Sequence, residues 1–250
     1  MAGPIRVAPL ADRDLVDAGT AEEDVLRRFE AGADSPLARS LAERLSRAEL
    51  LGSHLVLGTH RRPGELPTAA GAAGLASAVA HRGPVTAGSF DRLHRRLTGS
   101  GSGTRRVPNW VGGPDPAHAV FLPPQPGEIP PLLEDLAAFC NRTDLAPLTQ
   151  AAVAYGQFQA IHPFVDGNGR VGRALLRGVL QRHGIGRRVL PPIGLAMMRD
   201  PGRFVDNHTR YRQGDAAAWC RYTRSVALEA VAAMQALLLD PAQLSGRKPA

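Results

Sequence analysis

The sequence predicts an all-α protein, a helical bundle with one small extended insertion. Apolar residues recur at helical spacing in several separate segments, and glycines and prolines end those segments. One proline-rich run between Thr104 and Pro131 interrupts them. With 250 residues, 44% apolar and 21% charged, the chain can bury a substantial core without disulfides or a structural metal. The two cysteines, Cys140 and Cys220, are too few for a disulfide framework and lack zinc-ligand spacing, so they read as small buried apolar side chains.

Residues 20–58 read as helical. Thr20-Ala-Glu-Glu23 has the form of a capping box, and Leu37, Leu41, Leu45, Leu51 and Leu55 follow at mostly helical spacing. Pro63, Gly64, Pro67 and Gly71 mark a loop over 61–73, and a short helix is expected at 75–80. Thr86 to Leu97 should form the next helix, with Phe90, Leu93, His94 and Leu97 on one face and Gly99-Ser-Gly-Ser-Gly103 ending it. Prolines at 114, 116, 123, 124, 126, 130 and 131 then argue against helix, and Ala119-Val120-Phe121-Leu122 is expected as a hairpin or an edge strand.

Helical signals return over 132–140 and again over 148–160, behind Pro147 at the first helical position. A polar, glycine-bearing turn runs from His162 to Gly169. Beyond it Val171, Leu175, Leu176, Val179 and Leu180 predict a long helix that stops at Gly184. A last helix is expected from about Ala216 to Leu239, ended by Asp240-Pro241. The chain divides into a helical N-terminal extension over 1–85, a site-bearing domain over 86–240 and a C-terminal tail over 241–250.

Lys and Arg number 30 against 23 Asp and Glu, a net charge of +7 that suits phosphate-bearing partners. The arginines are spread as doublets such as Arg61-Arg62 and Arg105-Arg106, without a clustered stripe or interleaved aromatics, so nucleic acid is not the expected partner. The N-terminus lacks the apolar region of a signal peptide and no apolar run reaches spanning length, so a cytoplasmic location and no membrane partner are expected.

The chemistry concentrates in Ile161-His162-Pro163-Phe164-Val165-Asp166-Gly167-Asn168-Gly169-Arg170-Val171-Gly172-Arg173. Pro163 disfavours helical geometry in the residue before it, so the preceding helix should stop near His162 and leave the imidazole at a helix-to-loop edge. Gly167 and Gly169 permit positive φ and close backbone approach, and successive N–H groups in such a turn can form a nest for an anion. The helix that begins there points unpaired N–H groups and its positive dipole end at the same spot. Arg170 and Arg173, three apart, place two guanidinium groups on one face of the first turn. Asp166 supplies a hard oxygen for Mg²⁺, which commonly binds through one or two carboxylates and the phosphates themselves. Each piece alone has a structural explanation as a turn, a hydrogen-bonding histidine or a solvated face. Their coincidence within twelve residues points to a phosphate site.

This segment resembles the signature of the Fic (filamentation induced by cAMP) family, His-Pro-Phe-x-Asp/Glu-Gly-Asn-Gly-Arg-x-x-Arg, at every fixed position. Tyr155-Gly-Gln-Phe158-Gln-Ala-Ile161 is similar to the family's lead-in helix, with Tyr155 and Gln159 where the family often has His and Glu. Thr104 to Gly113 and Phe121-Leu122-Pro123-Pro124 resemble the segment around its flap, and the likeness extends over about 86–235. The resemblance implies an all-helical Fic fold with a small β-hairpin flap, acting as a protein adenylyltransferase that moves AMP from ATP to a hydroxyl side chain. It assigns His162 as the base, Phe164 as the loop anchor and Asp166 as the Mg²⁺ ligand. Gly167, Asn168 and Gly169 become the anion hole, and Arg170 and Arg173 the phosphate clamps. The expected partners are ATP and a protein bearing a Ser, Thr or Tyr hydroxyl, docked by strand addition near residues 119–124. Self-association stays open.

Two departures stand out. The family's inhibitory helix, Ser/Thr-x-x-x-Glu-Gly/Asn, corresponds to Ser46-Arg-Ala-Glu49-Leu50-Leu51-Gly52, where Leu51 holds the glutamate position; Ser225 to Glu229 fits part of that pattern. The aromatic pair that often follows the motif helix is replaced by Arg203-Phe204-Val205-Asp206-Asn207, leaving Phe204 and Asn207 as candidates for the base pocket, with a core role for Phe204 equally open. The alternative functions are a Fic-like nucleotide-binding regulator without turnover, or a Fic enzyme transferring another phosphate-containing group.

Overall fold

A computed structural model describes residues 20–51, 83–99 and 103–239. Among them the protein is helical: α1 (Thr20–Gly32), α2 (Pro36–Leu51), α3 (Ala87–Thr98), α4 (Ile129–Cys140), α5 (Pro147–Ile161), α6 (Asn168–Arg182), α7 (Ile193–Met198), α8 (Pro201–Arg212) and α9 (Ala216–Leu239). Two short 3-10 turns lie at Pro116–His118 and Pro126–Glu128. The all-α expectation holds, and none of the described helices is long and apolar enough to cross a membrane.

The stretch expected as helical over 20–58 holds two helices among its described residues. Pro36 has no N–H to donate, and Ser35 Oγ accepts the Ala38 N–H at 3.1 Å, so a new helix starts there. Glu23 reaches beyond its own helix: its Oε1 accepts the N–H of Leu148 at 2.8 Å, 125 positions away, at the first turn of α5. The remainder of the expected helix, 52–58, and the short helix at 75–80 lie outside the described residues.

Helix α4 begins at Ile129, three residues before the predicted start, because Pro130 and Pro131 occupy first-turn positions where no intrahelical N–H bond is required. Helix α5 is the central rod. Every residue from Leu148 to Ile161 is buried, and α4, α6 and α9 pack around it. Where α5 meets α9, a Cβ on Gly156 would stand 2.6 Å from the Trp219 indole nitrogen, which donates to the Ala152 carbonyl at 2.7 Å. Helix α1 packs on α9, α2 on α7, and α3 on α4 and α6. Cys140 and Cys220 are free and buried.

Two helices escaped the sequence reading. Helix α8 fully buries only His208 and Tyr211 and is polar over most of its length, so few apolar residues mark it. Its start was nonetheless written in Asp200-Pro201, since Asp200 accepts the Arg203 N–H at 2.9 Å and proline takes the first turn.

The β-hairpin expected near 119–122 does not form as strands. One isolated antiparallel bridge joins Val111 to Phe121, with Val111 N–H donating to Phe121 at 3.1 Å and Val120 N–H donating to Val111 at 2.8 Å. Pro123 and Pro124 cannot continue the ladder on one side, and Gly112 and Gly113, both at φ 72°, turn the chain away on the other.

Candidate active site

Helix α5 ends where Pro163 requires. His162 adopts φ 48° and ψ 58° as the C-terminal cap, the one non-glycine residue at positive φ among those described. The turn that follows is held from within. Asn168 Oδ1 accepts the Phe164 N–H at 2.9 Å and its Nδ2 donates to the Phe164 carbonyl at 2.7 Å. Phe164 is fully buried and stacks on His94 with ring centroids 4.0 Å apart, while His94 Nε2 donates to the Asp166 carbonyl at 3.0 Å.

Gly167 then caps α6 at φ 84°, and a Cβ there would lie 2.7 Å from Thr98 Cγ2 and 3.2 Å from His94 Nε2. At Gly172 a Cβ would stand 2.1 Å from Gln159 Nε2 and 2.8 Å from the Tyr155 ring, so the absent side chain lets α6 seat against α5. Gln159 Nε2 donates to the Asn168 carbonyl at 3.0 Å and ties the first turn of α6 to α5.

These elements enclose a cleft of about 280 Å³. On its wall stand His162, Asp166, Gly167, Asn168, Gly169, Arg170 and Arg173. The opposite side comes from Asn109 to Gly113, and Tyr155, Met198 and Phe204 complete it. Arg170 and Arg173 are 5% and 8% exposed, so their guanidinium groups sit in the wall and not in bulk water. Arg170 Nη2 donates to Asp166 Oδ2 at 2.9 Å, and that carboxylate is half exposed.

The imidazole of His162 is half-buried, and burial pushes its pKa down to about 4 against the opposing pull of the Gln159 carbonyl. The ring is therefore neutral at physiological pH. Burial lowers His94 as well, and because a carbonyl can only accept, its Nε2 carries the proton. Mg²⁺ would find one carboxylate here, Asp166. Among the described residues no cluster of three acidic, histidine or cysteine side chains forms a cage, and a single hard oxygen fits an ion that takes its other ligands from phosphates and water.

The site residues read from the sequence thus share one cleft, with two qualifications. Phe164 lies beneath it, and Asn207 is not on its wall: Asn207 Nδ2 turns back to the Arg203 carbonyl at 2.8 Å. Phe204 does reach the cleft, in tilted contact with Tyr155 and stacked on His208. Glu229 pairs with Arg203 at 2.8 Å, and Ser225 accepts from the same guanidinium. The side chains of Ser46 to Leu51 lie outside the described residues.

Sequence reasoning missed the support of the site. Arg105 was one of several doublets, and His208, buried with its pKa pushed down to about 3 by burial and by the neighbouring Arg212, was unmarked. No local pattern announces a buried cation or an imidazole that serves as a hydrogen-bond bridge.

A helix-capping imidazole, a carboxylate and two wall-set arginines thus gather around a helix N-terminus on an all-α scaffold. Residues 84–180 match the model of the Fic/DOC family. Over 115 residues it is 33% identical to the protein adenylyltransferase Fic of Drosophila grimshawi and 34% identical to that of Drosophila melanogaster. Each match covers 43% of this chain and 22% of the relative, so the chain spans about a fifth of the length of those proteins. In fold it is similar to a Fic family protein from Desulfovibrio desulfuricans G20, with a TM-score of 0.66 and 19% identity over 88% of this chain and 73% of that one. Fic-1 from C. elegans gives a TM-score of 0.58 and 20% identity over 87% and 69%.

Proposed function

We propose that this chain is a protein adenylyltransferase, moving AMP from ATP to a Ser, Thr or Tyr hydroxyl of another protein and releasing pyrophosphate. The observation that carries the reading is the cleft itself: a neutral imidazole and the N-terminus of a helix flanked by two wall-set arginines face one space of about 280 Å³. Likeness to relatives named as adenylyltransferases supports the same reaction. The reacting residues fall within a site-bearing domain over 86–240, with 1–85 as a helical extension and 241–250 as a tail.

His162 is the base. Its Nδ1 is buried, which leaves Nε2 as the nitrogen a hydroxyl can reach. The hydroxyl oxygen forms a bond to the α-phosphorus, its proton passes to His162, and the bond from that phosphorus to the bridging oxygen breaks so that pyrophosphate leaves. Arg170, Arg173 and the backbone N–H groups of Gly167, Asn168 and Gly169 hold the phosphates and stabilise charge as it moves toward the leaving group. Asp166 would hold Mg²⁺, which neutralises phosphate charge when bound. Tyr155, Met198 and Phe204 offer the apolar wall on which adenine would rest.

The acceptor enters beside the loop that faces His162. Five of the eight exposed large apolar side chains among the described residues, Val107, Trp110, Val120, Leu122 and Val165, belong to this loop or to the motif turn. Such a surface suits a polypeptide rather than a small polar acceptor.

The test is mass spectrometry of purified protein mixed with cell lysate, Mg²⁺ and ATP. An adenylyl group on Ser, Thr or Tyr residues, absent with His162→Ala, supports the proposal. Addition of a bare phosphate or another nucleotide fragment, or nucleotide binding without any transfer, overturns it.

A further inference from the structure

The weak point of the site is its hinge. His162 sits in a backbone conformation that non-glycine residues seldom hold, and α5 ends there with carbonyls that no helical N–H can reach. Something must satisfy those carbonyls and keep the turn from relaxing. Arg105, 3% exposed, does so. Its Nε donates to the His162 carbonyl at 2.9 Å, and its Nη2 reaches the Ile161 carbonyl at 3.5 Å and that of Pro124 in the facing loop. Nη1 donates to the Val107 carbonyl at 3.2 Å, and the backbone N–H of Arg105 donates to the Pro163 carbonyl at 2.8 Å.

We propose that Arg105 is the positioning residue of this site: its single guanidinium fastens the His162 hinge to the loop across the cleft and so fixes where the imidazole stands. This inference rests on the adenylyltransferase reading for its rate prediction only.

Among the described residues no carboxylate pairs with Arg105. Its charge is met by carbonyl dipoles alone, a costly arrangement for a buried cation. A fork of five donors in one plane can serve four carbonyls on three chain segments; a lysine ammonium cannot. The loop is pinned a second time by Phe121, whose ring meets the His162 ring edge-on at 6.1 Å and lies 4.2 Å beneath the Arg212 guanidinium. The charged and titratable groups facing His162 are Arg105, Asp166 and His208, and Arg105 opposes its protonation.

The test uses the full chain with Arg105→Lys and Arg105→Gln. Four quantities are read: the melting temperature, Mg²⁺-ATP affinity by calorimetry, the AMP-transfer rate, and the titration of the His162 imidazole by NMR. Both variants should keep nucleotide affinity and lose about 10²-fold in kcat, as expected when a reacting group is misplaced by roughly an ångström. The His162 pKa should rise from about 4 toward the ordinary value of ~6.5 as the hinge opens, and further in Arg105→Gln, which also removes the opposing cation. If Arg105→Gln fails to fold, Arg105→Lys carries the test. A folded variant with unchanged kcat and unchanged His162 titration overturns the proposal, as does a lower melting temperature with neither quantity moved. If the wild type transfers no AMP, the adenylyltransferase reading falls, whereas the titration still decides the role of Arg105.

Discussion

His94 and Phe164, seventy positions apart, stack at 4.0 Å, and the same imidazole donates to the Asp166 carbonyl at 3.0 Å. One side chain of α3 thereby grips both the buried and the solvent-facing halves of the motif turn. The turn is held in place by the fold itself.

His162→Ala should lose about 10²–10⁴ in transfer rate with ATP affinity nearly unchanged, because a base acts on the acceptor and not on the phosphates. Single-turnover AMP transfer beside calorimetric ATP binding separates the two effects.

The pH profile follows from the lowered pKa of His162. A base at His162, as proposed, must be neutral, so kcat/KM should fall as pH drops through about 4. The acidic limb of kcat should lie at higher pH, since bound triphosphate favours the imidazolium. A kcat/KM limb at the unshifted value would show that the imidazole is solvated.

Arg170→Ala should weaken ATP binding by about 1.5–3 kcal/mol, the worth of a charge-assisted contact. Asp166→Ala should remove the affinity gained on adding Mg²⁺ and leave metal-free ATP binding in place. Titrations with and without Mg²⁺ distinguish the two variants.

Gly172→Ala forces a methyl group to within 2.1 Å of Gln159 Nε2, and Gly167→Ala adds a Cβ at φ 84° against Thr98. Each should cost about 1–3 kcal/mol in urea unfolding, the first by overpacking and the second mainly by backbone strain.

Glu23 gives a stability test. Desolvation by burial raises its pKa above the ordinary carboxylate value, against the lowering effect of the Leu148 N–H. The group's contribution is thus fully present below the unfolded-state pKa and lost as pH rises through the folded one. Glu23→Gln keeps an oxygen for Leu148 and should flatten that part of the stability profile, measured by denaturant midpoints from pH 4 to 8.

The architecture and the motif turn were legible because their signals are local. Pro163 stops α5 at His162, Gly184 stops α6, and apolar spacing outlines α9. What was not legible depends on distant partners. Glu23 caps a helix 125 positions away, α8 shows little of its buried face, and the Arg105 clamp joins carbonyls from three chain segments. Asn207 looked suited to a ligand by type and place, yet its amide closes back on its own helix.

Helix α1 has a consequence for anyone trimming the chain. Besides Glu23, its Glu30 receives the N–H groups of Gly186 and Arg188 at 2.8 and 2.7 Å, and Leu26 and Phe29 are buried in the shared core. A fragment begun at residue 84, where family likeness starts, would bare those amides and an oily flank together, and should clump or melt early even with each residue of the motif turn intact.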